Sequence, residues 1–536
     1  MSGVPGTAPS LTDAEAASVA PYFTNTDRPV FALVNLPETV KGALFARYSR
    51  SPKSLRRLFL DEFFEGAGLA ASSSQGVGAE RADKLYQRVF NDYGDDSVAQ
   101  LGGVHLAVED ASNILTKILE RGRLMAYLEQ STRYIPYTER RGTSWRYLVP
   151  AELDGHPLRE KFVASLDATF ETYAKWIAPM QKWFEARYPK SPSDSDGVYR
   201  AAIRAKALDT LRGMLPAATQ SNVGMYGTGQ AYEALLLRMR AHPLAEARTV
   251  ADAMLVELRK VIPAFLTRVD QPDRGGRWSA YLAGTRSALA DLSARMTAET
   301  ASSPVDEVTL VDFDPEGEAK VVAAALYASS TLPDRDLLEL ARAMSIADRT
   351  EVLLACNGHR TNRRHRPGRA FERTSYRFDI LTDYGAFRDL QRHRMLTIDW
   401  QALSSRHGYI QPEAVIEAGG DAEWREVMDR SGELFEAMRA AGLADAAQYA
   451  VSMAYRVRFV MDMNAREAMH VIELRTAPQG HPAYRRVCQQ MHKLIENNAG
   501  HRAIAAAMQY ADHSEVELER LQEERRLEQK RSQQGR

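Results

Sequence analysis

Two stretches of this 536-residue chain repeat one another, and the repeat limits the possible folds more than any other feature. The first is Arg121-Gly-Arg-Leu-Met-Ala-Tyr-Leu-Glu-Gln-Ser-Thr-Arg-Tyr134. The second opens at Arg392-His-Arg394 and resumes, two residues late, as Ser404-Ser-Arg406-His-Gly-Tyr409. Segments around them repeat as well. Gly42–Ser49 is echoed by Ala323–Ser330, and Ala231-Tyr-Glu-Ala234 by Ala465-Arg-Glu-Ala468. The separation between copies is unequal, from Arg121 to Arg392 at one motif and from Gln230 to Asn464 at the last. That fits a duplication whose halves took different insertions. A chain of this length also exceeds what a single hydrophobic core serves.

The charged residues of the first stretch point to a chemistry. On extended backbone, residues two apart face one side. This groups Glu129, Ser131 and Arg133, and pairs Arg121 with Arg123. A planar guanidinium fork beside a hydroxyl suits the oxygens of a phosphate. Taken without context, the same residues make a solvated surface loop.

In this register the stretch resembles the signature of the flavin-dependent thymidylate synthases (the ThyX family), R-H-R, five residues, then E-x-S-x-R-Y. Arg121, Arg123, Glu129, Ser131, Arg133 and Tyr134 match, with Gly122 in the histidine's place. The second copy keeps the histidine in Arg392-His393-Arg394 but has Trp400 where the glutamate belongs. Met463–Arg475 is similar to the family's N-A-R…L-R helix, with Asn464, Arg466, His470 and Arg475 in register. Leu211-Arg-Gly-Met-Leu-Pro216 resembles its A-R-x-x-L-P helix end, with Arg212 as the arginine. His365, Phe371 and Glu372 match a histidine-rich segment that precedes the second motif. Only Gly94 and Ser97 remain of a glycine-histidine segment that precedes the first.

The resemblance implies an α+β fold: two diverged ThyX-like domains, each a small sheet packed with long helices. Local patterns agree. Apolar residues at 55, 58, 59 and 63, and the stretches 158–188, 204–215 and 230–260, have helical character. Val308–Phe313 and Tyr376–Leu381 alternate like strands. On a helix, Arg466 and His470 share a face. Polar, turn-rich runs at 271–277 and 297–304 mark a boundary. The expected layout is a flexible arm at 1–28, a first ThyX-like domain at 29–270, a linker at 271–305, a second domain at 306–512 and a charged tail at 513–536.

Composition excludes several classes. The net charge is −1, and the basic run at 363–369 has no interleaved aromatics, so no nucleic-acid partner is expected. No run of about 18 apolar residues exists to span a membrane, and the first residues lack a signal pattern. Cys356 and Cys488 lie outside any C-x-x-C or metal spacing, which fits a reducing cytoplasm and predicts no metal site. No G-x-G-x-x-G follows a strand, against a Rossmann oxidoreductase.

The reaction implied by the resemblance is reductive methylation of dUMP to dTMP. Methylenetetrahydrofolate supplies the carbon, reduced FAD the hydride, and NADPH reduces the flavin; no enzyme thiol takes part. The implied catalytic residues are Arg475, which polarises the pyrimidine, and Glu129, which positions nucleotide and flavin. Ser131, Arg133 and Arg212 would hold the dUMP phosphate. Arg121, Arg123, Arg392, His393, Arg394, Asn464, Arg466 and His470 would contact FAD. Single-domain members are homotetramers with active sites at subunit junctions, so a tandem chain is expected to form a homodimer, a pseudo-tetramer of ThyX-like domains. The two copies have decayed in complementary ways, which predicts a composite site with nucleotide residues from the first half and flavin and ring residues from the second. Two alternatives stay open: a flavin enzyme acting on another pyrimidine nucleotide or lacking methyl transfer, and a catalytically silent nucleotide-binding protein.

Overall fold

Local signals set most of the elements. The computed structural model describes residues 11–23, 25–27, 33–48, 54–64, 100–131, 135–140, 142, 144–301, 306–516, 518 and 521–534. Gly94, Ser97, Arg133 and Tyr134 lie outside these residues. Within the stretch read as an arm, α1 (Asp13–Val19) starts on a capping box between Thr12 and Glu15. It is followed by α2 (Glu38–Tyr48) and α3 (Leu55–Glu62), the latter burying Leu55, Leu58 and Phe59 as their spacing predicts. Val19 is buried, and Arg57 Nη1 lies 2.7 Å from Glu15 Oε1, joining α3 to α1.

The first repeat continues with β1 (Gly103–Ser112), α4 (Asn113–Leu119), β2 (Met125–Glu129), α5 (Leu158–Arg187), α6 (Asp196–Leu211), β3 (Gln220–Thr228), α7 (Gly229–Arg240) and α8 (Ala245–Arg259). Between the two turn-rich runs the chain is helical, α9 (Arg277–Met296), and buries none of its residues. The second repeat has β4 (Val308–Phe313), α10 (Gly317–Tyr327), β5 (Ser375–Asp383), α11 (Tyr384–Leu390), β6 (Thr397–Trp400), α12 (Asp421–Ala440), β7 (Arg456–Asn464), α13 (Ala465–Arg475) and α14 (Pro482–Asn497). The charged tail forms α15 (Leu521–Gln534), held by Arg525 Nη2 at 2.8 Å from Asp194 Oδ2.

The duplication is visible in the sheets. The first has the order β1-β3-β2 and the second β4-β5-β7-β6. Without its edge strand β4, the second sheet repeats the first strand for strand. β5 and β7 pair antiparallel from Ser375↔Asn464 to Asp383↔Arg456, and β2 pairs with β3 from Met125↔Gly227 to Glu129↔Val223. The fold is α+β, as expected. Helix caps repeat too: Ser112 caps α4 at 3.0 Å and Asp383 caps α11 at 2.9 Å, while Thr228 caps α7 at 3.3 Å and Asn464 caps α13 at 2.9 Å. These caps correct one sequence alignment. With Thr228 opposite Asn464, the two A-x-E-A segments are two residues out of step. Glu233 does not stand in for Glu467; it pairs with Arg268 at 2.6 Å.

The chain forms two compact units. One comprises residues 1–109, 124–129 and 222–300, and the other 110–123, 130–221 and 301–536. The second unit therefore contains the whole second repeat together with much of the first. Inside it, main-chain bonds run between the turn after α6 and the turn before β7. Ala217 N–H donates to Val451 O at 2.8 Å and Ala218 N–H to Tyr449 O at 3.0 Å. In return, Met453 N–H donates to Leu215 O and Ala454 N–H to Gly213 O, each at 2.9 Å. Gln391 donates to Lys117 O at 3.1 Å and the Tyr384 hydroxyl to Asn113 O at 2.9 Å. Trp424 of α12 is fully buried, its ring against Gly213. Among the described residues, no helix is long and apolar enough to cross a membrane.

A Cβ on Gly213 would sit 2.9 Å from the Trp424 ring and 3.1 Å from Ala454 Cβ, whereas Gly284 in α9 has nothing within 4 Å. Gly213→Val should therefore cost roughly 1–3 kcal/mol through overpacking. Gly284→Ala should stabilise by about 0.5–1 kcal/mol, from helix propensity alone. Paired urea unfolding curves check both signs.

Candidate functional site

Arginines from distant parts of the chain meet at one carboxylate in the second unit. Arg212 begins the 3₁₀ turn that ends α6 and is almost wholly buried. Arg392 follows α11. Arg475 closes α13, where a cation meets the negative end of the helix dipole. Asp389, in the last turn of α11, lies 3.8 Å from Arg212 Nη1, 3.8 Å from Arg392 Nη2 and 3.9 Å from Arg475 Nη1. These are ion-pair distances rather than hydrogen bonds. Asp209 brings a second carboxylate to Arg212, 3.2 Å from its Nε.

His393 joins this group to α13. Arg475 Nε donates to His393 Nε2 at 2.9 Å. Glu467 Oε1 is 3.6 Å from His393 Nδ1, and the His470 ring stands edge-on with its centroid 5.5 Å away. Burial dominates the electrostatics. It holds His393 well below the ordinary imidazole range, helped by Arg475 and His470. It takes His470 down to about 4, helped by Arg366, Arg363 and Arg475. It raises the Glu467 carboxyl to about 7, against the pull of Arg366 and Arg466. Both rings are therefore neutral at neutral pH.

His393, Glu467 and His470 offer ligand atoms within 4.8 Å of one another. A metal ion does not fit them. The guanidiniums of Arg363, Arg366, Arg466 and Arg475 around them would repel a dication. The same donors suit an anion.

Cavities in the second unit open around these residues. One, of about 270 Å³, is lined by Arg363, Arg366, Arg369, Arg466, Asn464 and His470. In its wall Arg360 is committed to the buried Glu473, at 2.8 Å. Arg466 donates to Pro367 O at 3.0 Å and to Glu372 at 3.2 Å. Asn464 spends its side-chain oxygen on the cap of α13. Another cavity, of about 260 Å³, brings both arginine motifs together, with Arg121 and Arg123 beside His393 and Arg394. Here Arg121 pairs with Asp399 at 2.9 Å and lies over the Trp400 ring at 5.0 Å, and Arg123 donates to Thr397 at 3.0 Å. The tryptophan in the glutamate's place thus serves as a platform for the other motif's arginine.

The largest of these cavities, about 420 Å³, has Arg212, Lys206, His481, Arg486 and Asp383 in its walls. Burial raises the Asp383 carboxyl, although Arg212 opposes the shift. Its Oδ1 caps α11, and its Oδ2 is buried with no hydrogen-bond partner among the described residues. Gly385 permits this close approach, since a Cβ there would lie 2.9 Å from Asp383 Oδ1 and 3.4 Å from Arg212 Nε.

Of the residues expected from the sequence, Arg212, Arg392, His393 and Arg475 come together. Asn464, Arg466 and His470 line one cavity, and Arg121, Arg123 and Arg394 another. Glu129 closes β2 in the first unit, buried and opposite Val223. Ser131 is half-buried and lines none of the three cavities. Arg133 is outside the described residues. The repeat is not symmetric at the site. The turn matching Arg212–Met214 is Gln448–Ala450, and Gln448 accepts from Leu403 N–H at 3.0 Å. Counting from the caps, buried Met239 stands where α13 has Arg475.

Sequence reasoning missed Asp389, Asp383 and Glu467, and weighed the basic run at 363–369 for nucleic acid before matching its neighbours to a family segment. Glu467 carried a signal, being one helical turn before His470. Asp389 carried none. Both cysteines are poor nucleophiles: burial pushes the Cys488 thiol up to about 12 and raises that of Cys356, and neither lines these cavities.

Fold and site together define an α+β protein of two related halves with a cluster of arginines gathered around Asp389. The family model described as thymidylate synthase complementing protein matches residues 45–264 and 309–499, and the chain belongs to that family. Its two matched segments bear out the tandem duplication. A UPF0159 protein of Chlamydia muridarum (strain MoPn / Nigg) is 37% identical over 511 residues, 94% of this chain and 96% of that protein. A flavin-dependent thymidylate synthase of Mycobacterium marinum (strain ATCC BAA-535 / M) is 31% identical over 182 residues, 33% of this chain and 66% of that protein. A solved structure of a UMP/dUMP methylase, PolB from Streptomyces cacaoi, covers 37% of this chain and 94% of its own at 19% identity and a TM-score of 0.30, a likeness too slight to carry an argument.

Glu467 gives a pH signature. Folded, its carboxyl ionises at about 7 rather than 4.5. The folded state holds a proton that the unfolded state has lost, so this group's contribution to stability falls as pH rises through that window. Relative to wild type, Glu467→Gln should gain stability from about pH 4.5 to 7 and level off above, as read from urea midpoints across pH.

Proposed function

We propose that this protein is a flavin-dependent thymidylate synthase that methylates dUMP to dTMP with methylenetetrahydrofolate and NADPH. Its one working composite site is built by Arg212 of the first repeat with Arg392, His393 and Arg475 of the second. The observation that carries this reading is the approach of those three arginines to Asp389, with Arg475 also bonded to His393. The cavity beside Arg212, about 420 Å³, has room for a nucleoside monophosphate.

In this reading Arg212 holds the phosphate and fixes the orientation of the nucleotide. Arg475 donates to a pyrimidine carbonyl and stabilises the negative charge that makes C5 nucleophilic. The donor set of the Arg363–Arg466 cavity suits the diphosphate of FAD, since forked guanidiniums match paired phosphate oxygens. Bound FAD, reduced by NADPH, would supply the hydride that completes the methyl group, with the carbon coming from methylenetetrahydrofolate and the C5 proton leaving. Thiols held in the protonated state agree with chemistry that needs no enzyme nucleophile. The decay of Gln448 and Met239 agrees with a single competent site per chain, and a homodimer would then carry two.

The test is turnover and ligand binding by purified protein. The flavin absorption band should shift on adding dUMP, and dTMP should form. Arg212→Ala should weaken dUMP binding about tenfold to a hundredfold, as for a lost charged hydrogen bond. Arg475→Ala should lower kcat by roughly 10²–10³, as for a lost transition-state donor, and leave flavin affinity nearly unchanged. A protein that binds neither flavin nor dUMP would overturn the reading.

A further inference from the structure

We infer that Glu467 is a positioning residue that acts through His393 to hold the Arg475 guanidinium in place. The inference rests on the role given to Arg475 above. Glu467 and Arg475 are eight residues apart on one helix, about 12 Å along its axis, so a direct contact is out of reach. His393, brought in from the turn after α11, bridges them.

Donor chemistry fixes the order of the chain. A guanidinium N–H can only donate. Its 2.9 Å bond to His393 Nε2 therefore uses that nitrogen's lone pair. A neutral imidazole carries one proton, which must then be on Nδ1. The group facing Nδ1 is the Glu467 carboxyl oxygen Oε1, at 3.6 Å. That distance is too long for a closed hydrogen bond, but in a setting where both side chains are less than a tenth exposed a carboxyl oxygen there attracts the Nδ1–H dipole in either protonation state, and more strongly once ionised. Glu467 is itself anchored, because its backbone N–H is the one capped by Asn464. The other charged or titratable groups near it are His470 and Arg466 on its own helix and Arg366 from the basic run.

Without an acceptor at Nδ1 the alternative tautomer becomes accessible. It places an N–H at Nε2, donor against donor with Arg475, and turns the guanidinium away. A carboxylate orienting a histidine that in turn orients a working group is a familiar device at metal and nucleophile sites. In this chain it would serve an arginine. The device is specific to the second repeat. With Thr228 opposite Asn464, Ala231 and Met239 take the places of Glu467 and Arg475, and Gly122 that of His393.

The tautomer can be read directly. Two-bond ¹⁵N–¹H spectra of the full-length protein with ¹⁵N-histidine, assigned with His393→Asn, should show His393 protonated at Nδ1 and bare at Nε2. In Glu467→Leu the two tautomers should mix. With dUMP as substrate, kcat should fall about tenfold or more while the KM for dUMP changes less than twofold; flavin affinity is not the readout, because Glu467 also lines the Arg363–Arg466 cavity. Glu467→Gln, whose amide oxygen still accepts, should restore the tautomer and most of kcat. His393 protonated at Nε2 in wild type overturns the inference, as does full kcat in Glu467→Leu. If wild type shows no turnover with dUMP, the proposed function falls, while the tautomer of wild type and Glu467→Leu still decides whether Glu467 orders His393.

Discussion

The reciprocal main-chain bonds between residues 213–218 and 449–454 hold the site together. They put the turn that begins with Arg212 beside the turn that leads into β7, within one compact unit. Backbone groups buried there must be paired, and this pairing is between repeats rather than within either. Arg212 is carried to Asp389 by that clasp, and Trp424 packs against Gly213 because of it. The residues gathered around Asp389 are therefore drawn from both copies of a duplicated sequence.

Burial then sets the chemistry. Arginines keep their charge in low dielectric where histidines lose theirs. His393 and His470 are neutral, and the positive potential comes from guanidiniums. Carboxyl groups are placed where they temper or direct that potential: Asp389 among three arginines, Asp383 buried beside Arg212, and Glu467 behind His393. The duplication has been used asymmetrically. Trp400 replaces a glutamate and stacks on Arg121, Gln448 replaces an arginine and caps a backbone N–H, and Met239 fills a core position that in the other copy is Arg475. Each departure from the repeat has a structural use where it stands.

Much of the fold was legible because its signals are local. The caps at Ser112, Thr228, Asp383 and Asn464, the alternation of Val308–Phe313 and the helical spacing of Leu55, Leu58 and Phe59 depend on neighbours a few residues away. The helix between the turn-rich runs at 271–277 and 297–304 was not read, because a solvated helix with no buried face has no apolar period to reveal it. The displaced A-x-E-A match shows the opposite hazard. Short identical strings align by composition, while the cap that starts the helix fixes the register.

The sequence by itself determined the duplication, the family, the α+β class and the residues with guanidinium, imidazole and amide chemistry. Motif spacing and local periodicity carry that information without reference to the rest of the chain. Only the tertiary structure decided which of those residues meet. It grouped Arg212 with Arg392 and Arg475, added Asp389 and Glu467, and set Ser131 outside the three cavities. Such proximity comes from long-range pairing and burial, which join residues hundreds of positions apart and leave no periodic trace in the order of amino acids.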